Sequence, residues 1–94
     1  MQLNYKIQNG VLHLAWDESL NANHYRIMAM SQTFVYYTID KTSDTSYDLR
    51  MDKYGSYIRF KVFAESSNDS KLNESNEVRI SYSDIENFEK NNFY

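Results

Sequence analysis

Leu3-Asn4-Tyr5-Lys6-Ile7-Gln8-Asn9-Gly10-Val11-Leu12-His13-Leu14-Ala15-Trp16 is the stretch that decides the fold class. Apolar residues fall at every second position on both sides of Asn9-Gly10, as Leu3, Tyr5 and Ile7 and then as Leu12, Leu14 and Trp16. A period of two marks a strand with one face buried. Asn and Gly both tolerate the positive φ that a tight type I′ turn demands. The stretch is therefore predicted to be a β-hairpin with its apolar side chains turned to a core.

The same period recurs along the chain. Asp17 to Asn23 is a polar connection, after which Tyr25, Ile27 and Ala29 alternate with Arg26, Met28 and Met30 in a third strand. Phe34 to Ile39 is apolar on both faces, so something besides the core must cover one of them. Thr45 to Met51 alternates through Tyr47, Leu49 and Met51, and Ile58, Phe60, Val62 and Ala64 alternate with Arg59, Lys61 and Phe63 across a turn at Asp52-Lys53-Tyr54-Gly55. Ser66 to Asn76 reads as a polar loop, and Val78, Ile80 and Tyr82 form the last strand. Seven short strands with regular turn signals describe an all-β, seven-stranded sandwich over residues 1–82. Residues 83–94 form a C-terminal tail, in which Ser83-Asp84-Ile85-Glu86 has the form of a capping box and allows a short helix over 84–91.

Composition supports a single folded domain. The 94 residues are 41% hydrophobic and 16% aromatic, richer in aromatic side chains than chains that stay disordered. With no Cys there is no disulfide framework and no thiolate ligand or nucleophile, and with no Pro and two Gly the turns fall to Asn, Asp and Ser. Ten Lys and Arg against thirteen Asp and Glu give a net charge of −3, with the basic residues scattered, which disfavours binding through nucleic-acid phosphates. The first ten residues hold no apolar run of the kind a secretory signal requires, and no apolar stretch is long enough to span a bilayer.

Over roughly residues 3–82 the chain resembles the fibronectin type III family. The resemblance rests on Trp16 in the second strand, Tyr25 and Ile27 in the third, Ser75-Asn76-Glu77-Val78 before the last strand, and the block TSYDLRMDKYGSYIRFKVFA from Thr45 to Ala64 with Gly55 at its turn. It implies a seven-stranded immunoglobulin-like sandwich with a spacer or binding role and no catalytic residues. Two positions depart from the family. Ile58 stands where the family has the tyrosine of its corner, with Tyr57 one place earlier, and Tyr54 stands where a proline precedes the turn glycine. The Arg-Gly-Asp triplet by which some members bind integrins is missing from residues 66–76, so integrin binding is not carried over.

The residues themselves offer no recognisable catalytic or cofactor pattern. His13 is out of phase with Leu12 and Leu14 and is expected on the surface, as is His24 at the mouth of the third strand. Neither lies in a spacing that gathers metal ligands. Asp40, Asp44, Asp48 and Asp52 recur every four residues, which along strands spreads them out, and they read as solvated edge carboxylates.

The outward face is more informative. If Tyr25, Ile27, Phe60 and Val62 point inward, then Met28, Met30 and Phe63 point outward, beside Arg26, Arg59, Lys61 and Arg79 and with either Tyr36 or the Val35, Tyr37, Ile39 set. An apolar face rimmed by Arg is the composition of an interaction site. The alternative is that Ile85 and Phe88 of the tail fold back over it. The expectation is a non-catalytic protein-protein binding or assembly module without cofactors, a decoration or tail accessory component of a bacteriophage virion, self-associating through this face or the tail. The competing readings are a small cytoplasmic inhibitor of a host protein and a module cut from a secreted surface or carbohydrate-active protein.

Overall fold

A computed structural model of the protein describes residues 1–30, 34–50 and 59–80. They form eight strands, β1 (Leu3–Gln8), β2 (Val11–Trp16), β3 (His24–Met30), β4 (Tyr36–Thr42), β5 (Ser46–Arg50), β6 (Arg59–Glu65), β7 (Lys71–Glu74) and β8 (Val78–Arg79). The three-stranded sheet has the order β1-β2-β5, and the five-stranded sheet runs β4-β3-β6-β7 with β8 also on β6. Every pairing is antiparallel. The protein is an all-β sandwich.

The hairpin forms as its sequence requires. Gln8 pairs with Val11, leaving Asn9 and Gly10 as a two-residue loop with φ of 52° and 78°. Other connections also use residues that accept the left-handed region, Asn21 at 65° and Asp69 at 65°. Phe34 is the exception at φ 63°. A bulky side chain there costs roughly 1–2 kcal/mol, and the left-handed backbone keeps Phe34 out of the strand expected from Phe34 to Ile39, which begins at Tyr36 and ends at Thr42.

The core lies between the two central strands of the large sheet and the middle strand of the small one. Leu12, Leu14 and Trp16 of β2 meet Tyr25, Ile27 and Ala29 of β3 and Phe60, Val62 and Ala64 of β6, with Leu3, Val78 and Ile80 at the margins. Burying each large apolar side chain contributes about 1.5–3 kcal/mol. Trp16 packs edge-on against Tyr25, ring centroids 5.6 Å apart. The Tyr25 hydroxyl accepts the Ser19 N–H at 3.0 Å, which fastens the 17–23 connection to the core.

The eighth strand corrects the sequence reading. Lys71–Glu74 was expected within a polar loop, but these residues pair with the end of β6. All four side chains are exposed, so this edge strand carries no alternation to betray it. Between β7 and β8 the ladder breaks at Ser75, whose Oγ accepts the Val62 N–H at 2.8 Å while its own N–H bonds the Val62 carbonyl at 2.9 Å. Next to it the Asn76 amide acts as a peptide group, accepting the Leu3 N–H at 2.7 Å and donating to the Leu3 carbonyl at 3.2 Å. This joins the edge of the small sheet to the large one. At the opposite edge, a bulge in β4 opposite Ile27 and Met28 lets both Ile39 and Asp40 face inward. Asp40 then accepts the Tyr47 hydroxyl of β5 at 3.1 Å. The turn at 52–55, Tyr57 and Ile58, Tyr82 and the tail 83–94 lie outside the described residues.

Candidate functional site

β3, β6 and β4 share one sheet, so the outward residues of Met28's row form a lattice of cross-strand neighbours. Lys41, Arg26, Phe63 and Glu74 lie in one row, Thr38, Met28 and Lys61 in the next, and Tyr36, Met30, Arg59 and Arg79 in the third. The strand phase expected for these positions holds. Tyr36 belongs to this face, whereas Tyr37, opposite the core residue Ala29, belongs to the other.

The face is not bare apolar surface. The Tyr36 hydroxyl donates to the Glu77 carboxylate, so its side chain crosses the sheet above Met30. Met30 is consequently buried rather than exposed, although it points away from the core. Burial, and then the bond to Glu77, push the Tyr36 hydroxyl pKa well above its ordinary value. Cations roof the other rings. Lys61 Nζ lies 5.3 Å from the Tyr36 ring centre and Lys71 Nζ 4.8 Å from that of half-buried Phe63. Half-buried Met28 receives the Thr38 hydroxyl at its sulfur at 3.4 Å. A Met30→Ser change should therefore cost about 2 kcal/mol or more by core-type truncation, and Met28→Ser less than about 1 kcal/mol. Urea denaturation of the two variants checks this difference.

At the lower edge of the lattice, five charged side chains converge from β3, β4, β6 and the 66–70 turn. Buried Glu65 accepts Arg26 Nε at 2.8 Å on one oxygen and faces His24 Nε2 at 2.9 Å on the other. Asp69 sits 3.0 Å from the same His24 nitrogen and 3.2 Å from Lys41 Nζ. Burial pushes the Glu65 carboxyl up, but bonds and charges from Arg26 and His24 outweigh it and hold the group below its ordinary value. Lys41 likewise holds Asp69 low. His24, Glu65 and Asp69 offer three ligand atoms within 4.8 Å of one another, enough for part of a cation site. Their oxygens, however, already serve Arg26 and Lys41, and an added cation would have to displace those charges. The arrangement works as a clamp that holds the 66–70 turn onto β3 and β4. Nothing in the sequence spacing of residues 24, 26, 41, 65 and 69 announces it.

His13 is on the outer face of the small sheet as expected, 2.7 Å from Asp48. It borders a shallow groove of about 180 Å³ formed with Asn4, Tyr5, Lys6 and Ala15, below the roughly 300–1,000 Å³ of small-molecule sites. Of the acidic series, Asp40 and Asp48 are engaged by Tyr47 and His13, Asp44 is exposed, and Asp52 lies outside the described residues. The exposed large apolar side chains are elsewhere. They include Phe34, Val35 and Tyr37 around the start of β4, Leu20 in the 17–23 connection and Leu72 on β7.

Arg59 completes the geometry. Its guanidinium lies 5.9 Å from the Phe34 ring centre, and its Nε is buried with no hydrogen-bond partner among the described residues. Arg79 stands directly opposite it on β8. Arg26, Lys41, Lys61 and Lys71 each have a carboxylate within 4 Å, whereas Arg59 and Arg79 have none among the described residues. The fold and this surface define a β-sandwich in which exposed Phe34, just before β4, lies against Arg59 of β6, and neither Arg59 nor Arg79 has a carboxylate within 4 Å among the described residues. Neither a protein-family model nor a curated protein matches the sequence. Among the described residues, no helix is long and apolar enough to cross a membrane.

Proposed function

We propose that the protein is a non-catalytic protein-protein binding or assembly module that uses the surface at the start of β4. The observation that carries this reading is the exposure of Phe34, Val35 and Tyr37, at 72%, 49% and 50%, around the start of β4, where Phe34 lies against Arg59, which has no carboxylate within 4 Å among the described residues. Aromatic and Arg side chains dominate binding energy at protein interfaces. The expected contact surface thereby moves from Met28, Met30 and Phe63, which the protein's own side chains cover, to the residues around the start of β4, keeping Arg59 and Tyr37 from the sequence-based set and leaving Arg26 and Tyr36 to structural roles. The fibronectin type III resemblance favours the same kind of role, and a bacteriophage virion component is its proposed setting.

The test is affinity capture from lysate of cells that make the protein, with the wild-type chain and a Phe34→Ser/Tyr37→Ser variant. The wild type should recover the components of one assembly, and the variant should lose them by roughly 30-fold or more, as expected for hot-spot truncation. Equal recovery by both would refute the assigned surface. Recovery of one soluble enzyme would favour the inhibitor reading.

A further inference from the structure

We propose that Asn9 is a self-modification site, at which the folded protein converts asparagine to aspartyl and isoaspartyl residues without an enzyme. The proposal is independent of the binding role. Such a conversion needs a side-chain carboxamide, a following backbone nitrogen free to attack it, and no bulk beside that nitrogen. Asn9-Gly10 supplies all of these. Gly10 has no Cβ, so another group can approach its nitrogen closely. The pair forms the exposed tip of the β1-β2 hairpin, with φ of 52° and 78°. The ladder closes at Gln8 and Val11, and neither the Asn9 carboxamide nor the Gly10 N–H has a hydrogen-bond partner among the described residues. The reacting groups therefore give up no hydrogen bond in order to react.

Every other described asparagine lacks this freedom. Asn4 is held extended in β1 opposite Ala15 and is followed by the bulky Tyr5. After Asn21, the Ala22 N–H is bonded to the Ser19 carbonyl at 3.2 Å. Asn23 Oδ1 lies 3.1 Å from His24 Nδ1. Asn68 Oδ1 accepts the Ser66 hydroxyl, and the Asp69 N–H that follows is bonded to the Ser66 carbonyl at 3.0 Å. Asn73 Oδ1 accepts the Glu74 N–H at 2.9 Å, and the Asn76 amide is spent on both backbone groups of Leu3.

The step balances with water as the only co-reactant. The Gly10 nitrogen loses its proton to base and attacks Asn9 Cγ. The Cγ–Nδ2 bond breaks, the side-chain nitrogen leaves as ammonia after taking up a proton, and a succinimide ring remains. Water opens the ring at either carbonyl carbon. Opening at Cγ gives an aspartyl residue, which still accepts the positive φ of the turn. Opening at the main-chain carbonyl routes the chain through Cγ, and the longer loop no longer matches the two-residue turn that sets the register of β1 on β2. Either product adds a negative charge to the net −3 of the chain.

The test incubates the intact protein in mildly alkaline heavy-oxygen water, folded and in concentrated urea, and maps the label by peptide mass spectrometry with electron-based fragmentation. In the folded chain the label should enter at position 9 several-fold faster than at any other described asparagine. At position 9 the folded and unfolded rates should agree within a few-fold, whereas the other described asparagines should be slowed by folding. On native isoelectric focusing, an acidic species should grow with time in the wild type and several-fold more slowly in Asn9→Asp, whose side chain also suits the turn. Label entering first at another described asparagine of the folded chain, or an acidic species growing equally fast in Asn9→Asp, would overturn the proposal. Label at position 9 in urea alone would overturn it too, by showing that the turn protects the site.

Discussion

Trp16→Ala is expected to lower the unfolding free energy by about 3–5 kcal/mol, the range for removing a buried aromatic side chain. For a domain of this size, total stability is roughly 5–14 kcal/mol, so the variant should be marginal. Two features set the magnitude. The ring is 6% exposed between the sheets and packs on Tyr25, whose hydroxyl in turn holds Ser19, so truncation opens a cavity and loosens the 17–23 connection. The indole Nε1 is buried without a hydrogen-bond partner among the described residues, so Trp16→Phe escapes the loss of a bond and should cost much less than Trp16→Ala. Equal losses in chemical denaturation of the two variants would show that the ring body is not what the core depends on.

Glu65→Ala should cost about 2–4 kcal/mol, somewhat below the 3–5 kcal/mol seen when one member of a fully buried ion pair is removed. The discount reflects the partners, because Arg26 retains some exposure and Asp69 is half exposed. Once Glu65 is gone, Arg26 and His24 face each other across the space it filled with Asp69 as their remaining described carboxylate. An Arg26→Ala/Glu65→Ala double variant should then lose less than the two single losses added together. Simple additivity in the double-mutant cycle would mean that the pair is not coupled.

The same carboxylates set the acid limb. Glu65, Asp69, Glu74 and Asp17 are all held below their ordinary values in the folded protein, Glu74 by Lys71 and Lys61 and Asp17 by the Gln2 N–H. A lowered carboxyl contributes stability that is fully present above its unfolded value, 3.8 for Asp and 4.5 for Glu, and is lost as pH falls through the lower folded value. Stability should hold down to about pH 5 and fall progressively below it. In Glu65→Ala the fall should be shallower, as measured by urea midpoints across that range.

The hairpin, the strand phase and the core could be read from the chain because they depend on local periodicity. Leu12, Leu14, Ile27 and Phe60 are inside for the reason their alternation gives, and Asn9-Gly10 turns because those two residues tolerate positive φ. β7 could not be read, since Lys71–Glu74 is a strand only by virtue of its pairing with β6 and buries no side chain. The outer face was half legible. Phase placed Met28, Met30 and Phe63 on it correctly, but a long side chain from a neighbouring strand decides exposure. The reach of Tyr36 to Glu77 is a contact between residues far apart in sequence.

What the sequence by itself determined is an all-β chain with one core face per strand, because backbone pleating converts a period of two into two sides. Only the tertiary structure decided which charges are spent and which remain. Glu65 and Asp69 look like any other acidic residues until β6 and the 66–70 turn bring them to His24, Arg26 and Lys41. Arg59 and Arg79 look like scattered bases until β8 sets them opposite one another with no carboxylate within 4 Å among the described residues. Electrostatic energy depends on separation in space and on access to water, and neither is carried by order along the chain.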